Sequence, residues 1–151
     1  MENLVRRLGR IFKEKGKQVQ EPEECLRSRM ARLDTELDRW MEQGGWRWPC
    51  RTLSEAAALL RTDTVTLHHY FTQRMHVDFR TWRTQLRLRD AAFLLLEEPE
   101  VSASVIAERV GFTNRSNFSR QFLAYTGFTP GQWREKAWIS PDIQAPENDY
   151  V

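Results

Sequence analysis

Apolar residues recur every three or four positions through most of this chain, and no segment alternates convincingly between apolar and polar. That period predicts helices and an all-α protein. Leu4, Val5, Leu8, Ile11 and Phe12 share one stripe within residues 1–20, with Arg6, Arg7, Arg10, Lys13, Lys15 and Lys17 around it. This reads as a short basic amphipathic helix, broken by Glu21, Pro22, Glu23 and Glu24. A second helix is expected over 26–43, striped by Leu26, Met30, Leu33, Leu37, Trp40 and Met41 and stopped by Gly44-Gly45. Thr52-Leu53-Ser54-Glu55 forms a capping box that opens a helix through Leu60. Further helices follow at about 64–75, at 79–97 behind an Asp78 cap, and at Ser102–Val110. Another covers about 115–126, ending at Gly127, and a last one starts at Thr129-Pro130 and runs to about Trp138. The polar tail 139–151 is expected to be disordered.

The pattern repeats at an offset of 51 residues. Ala56 meets Ala107, Thr62 meets Thr113, Leu67 meets Phe118, Phe71 meets Phe122, and Trp82-Arg83 meets Trp133-Arg134. In the second copy Ala107 is small enough for a close helix crossing, Gly111-Phe112 makes a tight turn, and Phe118 and Phe122 line the inner face of the next helix. That is a helix-turn-helix pattern, and two copies suit a long periodic partner such as double-stranded DNA. With Phe118 and Phe122 facing inward, Arg115, Ser116, Ser119 and Arg120 must face out, as groups reading a major groove do. Thr113 and Asn114 stand just before that helix, where a phosphate could be met. The first copy offers Val65, His68, His69 and Thr72 on its outer face. Its turn carries Arg61 in place of glycine.

Composition narrows the alternatives. The chain is 40% hydrophobic and 29% charged, with six Trp and eight Phe, enough for a globular core. There is no apolar run near the ~20 residues of a membrane span and no secretory signal pattern. Cys25 and Cys50 read as free thiols rather than a disulfide framework. Net charge is only +2, but nearly every cation between 51 and 138 is Arg, whose forked donors suit phosphates and guanine edges. His68 and His69 are adjacent and point about 100° apart on a helix, so no metal site is expected. No catalytic constellation, phosphate-cradling loop or cofactor motif is present, so an enzyme is not expected.

From Leu53 to Arg134 the chain resembles the DNA-binding domain of the AraC/XylS family of bacterial transcription regulators. The resemblance rests on Ile106-Ala107-Glu108-Arg109-Val110-Gly111-Phe112, Asn117-Phe118-Ser119-Arg120-Gln121-Phe122, Gly127-Phe128-Thr129-Pro130 and Trp133-Arg134. Arg87, Ala91 and Leu94-Leu95 match the family's linking helix. It departs at Arg61 and at His76, which stands where Gly127 stands in the second copy. The resemblance implies seven helices in two homeodomain-like, three-helix subdomains joined rigidly by a long linker helix. The helices at 64–75 and 114–126 would then enter successive major grooves, about one turn apart. The expected organisation is a basic helix and linker at 1–33, the DNA-binding domain at 34–138, and the tail.

The leading expectation is a sequence-specific regulator, an activator by analogy with most of the family, acting in the cytoplasm at the nucleoid. Residues 1–33 are too short for a small-molecule-binding barrel, so no such domain is expected in this chain. Two alternatives stay open at this level. One is a protein–protein module that binds a partner such as RNA polymerase. The other is the cytosolic output piece of a larger membrane sensor, with the basic helix as its membrane-proximal start.

Overall fold

A computed structural model describes residues 23–50 and 52–139. The basic helix expected within 1–20 and the tail beyond 139 lie outside the described residues. The rest forms seven α-helices, with no strand among the described residues. They are α1 (Glu23–Glu42), α2 (Leu53–Leu59), α3 (Thr64–Tyr70), α4 (Phe79–Glu97), α5 (Ala103–Arg109), α6 (Arg115–Thr126) and α7 (Pro130–Ile139). A short 3₁₀ turn, Gly45–Arg47, follows α1, and a π-helical turn, Phe71–Met75, extends α3. No helix among the described residues is long and apolar enough to cross a membrane.

Side-chain caps open the helices, at Thr52, Asp78 and Ser102 as expected and at Asp63 and Asn114 in addition. Thr52 accepts from the Glu55 N–H, Asp63 from Thr66, Asp78 from Thr81, Ser102 from Val105 and Asn114 from Asn117. Thr129 and Gln132 close a reciprocal capping box at the start of α7. α1 is already helical at Glu23, three residues before the expected start. Glu23 and Glu24, read from sequence as part of a break, instead supply negative charge at the positive end of the helix. α1 is continuous across positions 33 and 34, and Leu33 is buried.

The helix expected over 64–75 is regular only to Tyr70. The Thr72 hydroxyl donates to the carbonyls of His68 (2.8 Å) and His69 (3.3 Å). Past Tyr70 the backbone widens to a π-turn, closed by the His76 N–H on the Phe71 carbonyl. His76 takes φ +52°, the left-handed conformation Gly127 takes at +79°.

Two cores share one helix. Leu33, Leu37 and Trp40 of α1 pack with Ala56, Ala57, Leu60, Leu67, Tyr70 and Phe71. Ile106, Ala107, Val110, Phe112, Phe118, Phe122 and Trp133 make the second core. α4 gives Phe79, Trp82 and Leu86 to the first and Leu88, Ala91, Ala92 and Leu95 to the second. At about 100° per residue these two sets lie on roughly opposite faces of α4, so the units flank it. An aromatic contact recurs in each: Phe71 lies 5.0 Å from Trp82, and Phe122 6.0 Å from Trp133, between ring centroids.

The repeat is not a single offset. The Leu60 N–H bonds the Ala56 carbonyl as Val110 bonds Ile106, and Thr62 bonds Ala57 as Phe112 bonds Ala107. The first helices therefore match at an offset of 50, and the counterpart of Ala107 is Ala57, not Ala56. Thr62 corresponds to Phe112, not Thr113. The second turn holds one more residue before its cap, so the recognition helices match at 51: Asp63 to Asn114 and Thr64 to Arg115.

Candidate nucleic-acid interface

α3 and α6 are the second helices of the two helix-turn-helix units, and their inner faces decide what the outer ones present. Leu67 and Phe71 are buried from α3, and Phe118 and Phe122 from α6. On α3 this leaves Val65 76% exposed, His68 exposed and His69 half-buried. Thr72 is half-buried on the π-turn, and its hydroxyl proton is committed to the helix backbone.

On α6, Arg115, Ser116 and Arg120 are exposed and Ser119 is half-buried on the same face. Thr113 and Asn114 are exposed just ahead of the helix. Asn114 Oδ1 accepts the Asn117 N–H at 2.8 Å, so the cap occupies its carbonyl oxygen. Its amide nitrogen remains for another partner. Arg120 Nη2 rests on Asn117 Oδ1 at 3.0 Å, which also takes Gln121 Nε2 at 2.8 Å. This tethers one prong of the Arg120 fork without neutralising it.

The exposed arginines of the described residues fall into paired and unpaired groups. Arg27, Arg29, Arg39, Arg47, Arg74 and Arg109 each pair with a carboxylate. Among the described residues Arg115 and Arg120 have no acidic partner. Their charge stays available on the outer face of α6.

Other arginines hold the units in place. Arg83 donates to the carbonyls of Trp46 (3.2 Å), Trp48 (2.7 Å) and Cys50 (3.0 Å), just ahead of α2. Arg134 does the same ahead of α5, donating to Leu95 (3.0 Å), Glu98 (3.2 Å) and Val101. Burial pushes both Arg83 and its neighbour Arg87 below the usual guanidinium value, Arg87 to about 10 with the Arg83 charge contributing, so Arg87 remains a cation at neutral pH. The Trp-Arg repeat was visible in sequence, but its role was not: backbone carbonyls leave no mark in a residue pattern.

One close approach was only half anticipated. Gly111 takes the left-handed φ of +96° expected of the turn. A Cβ there would also lie 2.6 Å from Arg87 Nη2 and 2.8 Å from the Arg47 carbonyl oxygen. The glycine is needed twice, for its backbone angle and for space.

A family model described as "Helix-turn-helix domain" matches residues 56–136. The chain is 30% identical over 105 residues to the Escherichia coli RCS-specific HTH-type transcriptional activator RclR, covering 70% of this chain and 36% of that protein. It is 32% identical over 68 residues to the arabinose operon regulatory protein of Salmonella typhimurium, covering 45% and 24% respectively. The chain thus spans about a third or less of the length of these curated relatives. The fold is similar to the C-terminal domain of AraT, a response regulator from Geobacillus stearothermophilus, with TM-score 0.62 and 28% identity over 77% of this chain and 93% of that one. By sequence and by fold, the chain belongs to the AraC/XylS family of helix-turn-helix transcription regulators.

Proposed function

We propose that this protein binds double-stranded DNA in a sequence-specific manner and regulates transcription, laying α3 and α6 into two successive major grooves. The observation that carries the reading is the outer face of α6: two arginines without acidic partners, interleaved with small hydroxyls, on a helix fixed from behind by Phe118 and Phe122. Arg115 and Arg120 would fork onto guanine edges or phosphates, and Ser116 and Ser119 would meet base edges. Thr113, with the Asn114 amide nitrogen, would contact the phosphates at the groove edge. In the first unit Val65, His68 and His69 would face the bases, and Thr72 has the weakest claim because its hydroxyl is already used. The DNA-binding domain would start at α1, near residue 23, since Leu33 belongs to the first core.

Regulation would be by activation, as the name of RclR states for that protein. A duplex target implies action in the cytoplasm at the nucleoid. Gel shifts against duplex at rising salt test the reading. The logarithm of affinity should fall linearly with that of salt concentration, in proportion to the phosphates neutralised. Salt-independent association would contradict it.

A further inference from the structure

The turn that precedes the first helix-turn-helix unit does not end its contacts at that unit. Trp46 Nε1 donates to Asp90 Oδ2 at 3.0 Å, and Arg47 forks onto both Asp90 oxygens at 2.5 and 2.7 Å. The Asp90 side chain is only 11% exposed against 45% for Arg47, so the carboxylate end of the pair is the one shielded from water. Arg87 grips the same turn from below, donating to the carbonyls of Trp46 (2.5 Å) and Trp48 (3.0 Å). Arg83, Arg87 and Asp90 are one face of α4, so the turn runs along the linker past Leu86, where the first core ends. There it meets the second unit: Gly111 packs against the Arg87 guanidinium and the Arg47 carbonyl. One small cluster therefore joins the first unit, the linker and the turn of the second unit.

We infer that this cluster of Trp46, Arg47, Arg87, Asp90 and Gly111 fixes the angle between the two recognition helices, and so the spacing of the two half-sites the protein accepts. The inference rests on the proposed DNA reading. The linker alone holds each unit through one face of a single helix, and side-chain packing of that kind leaves rotation about the helix axis soft. The cluster closes the two units against each other around α4 and removes that freedom. Asp90 and Arg47 act as positioning residues: they touch no base themselves.

The test uses the full chain and a two-part site recovered from a random duplex pool, with base pairs added or removed between the half-sites. Each added pair shifts one half-site by ~3.4 Å and turns it by ~34°, so wild type should lose about tenfold in affinity per pair. Asp90→Asn and the more exposed Arg47→Gln should flatten that penalty to about threefold or less while retaining helical circular dichroism. Arg109→Gln breaks an ion pair with Glu98 inside the second unit (2.6 Å) and should leave the penalty unchanged, which separates loss of spacing control from general loosening. A wild type that tolerates added pairs overturns the inference and leaves DNA reading intact. So do folded Asp90→Asn and Arg47→Gln variants with the wild-type penalty. A pool that yields no two-part site counts against the DNA reading itself.

Discussion

Arg61 occupies the left-handed turn position that Gly111 occupies in the other unit, at φ +50° against +96°. The same backbone turn is built once with a side chain and once without. For an L-residue that conformation costs roughly 1–2 kcal/mol, part of which glycine gives back as unfolded-chain entropy. Arg61→Gly should therefore stabilise the protein by about 0.5–1 kcal/mol. Gly111→Ala should destabilise it by more than that, because the added Cβ also meets the Arg47 carbonyl. Denaturant midpoints at constant slope measure both. A neutral Gly111→Ala would mean the approach to Arg87 and Arg47 is not as close as described.

Asp63 and Asp78 should make the fold acid-sensitive. Hydrogen bonds from the Thr66 backbone and hydroxyl hold the Asp63 carboxyl below its ordinary value. The Thr81 hydroxyl, then its N–H, do the same for Asp78. A carboxyl whose folded pKa is depressed adds stability above its unfolded pKa and loses it as pH falls through the folded value. Stability should thus decline below about pH 4. Asp78→Ala should cost about 1 kcal/mol near neutrality and progressively less in acid. An equal cost at pH 7 and at pH 3 would show that the charge of the cap contributes nothing.

Arg83 and Arg134 should not tolerate lysine. Each serves three carbonyls ahead of a helix-turn-helix unit, and an ammonium cannot reproduce the fork. Arg83→Lys and Arg134→Lys should each cost about 1–3 kcal/mol from carbonyls left unsatisfied. Thermal melts of the two variants check this, and losses below ~0.5 kcal/mol would show that water or lysine replaces the fork.

Val65 makes a chemically specific prediction. It is the most exposed large apolar side chain among the described residues, and an apolar group in a major groove selects the thymine methyl. Replacing one thymine of the first half-site by deoxyuridine should weaken wild-type binding several-fold, by roughly 1 kcal/mol, and leave Val65→Ala unaffected. Titrations on the matched duplexes decide it. Equal losses in wild type and variant would assign the methyl to another residue.

How legible all this was in the sequence depends on which groups carry each feature. Caps are side-chain events, so Asp78 located the start of α4 to the residue, whereas Asn114, read only as a phosphate contact, also caps α6. Gly127 likewise marked the end of α6 with its positive φ. The turn between α2 and α3 misled, because matching letters at Ala56 and Thr62 concealed a one-residue difference in turn length that only the backbone hydrogen bonds reveal. The π-turn after Tyr70 was also hidden, since Phe71–Met75 contains no glycine or proline to mark it. The outer face of α6 was legible because burying Phe118 and Phe122 fixes it. The clamp around Asp90 was not, because Trp46 and Arg47 lie over forty positions away and Arg87 meets the same turn through a backbone carbonyl.

The central claim is that two unequal recognition helices read one duplex. Selection of bound sequences from a random duplex pool tests it most directly. The expected result is a non-palindromic site of two parts with centres about 10 base pairs apart, and loss of preference at one or two positions of the second part in Arg120→Ala. Recovery of a single half-site, of a palindrome, or of no enriched sequence would contradict it.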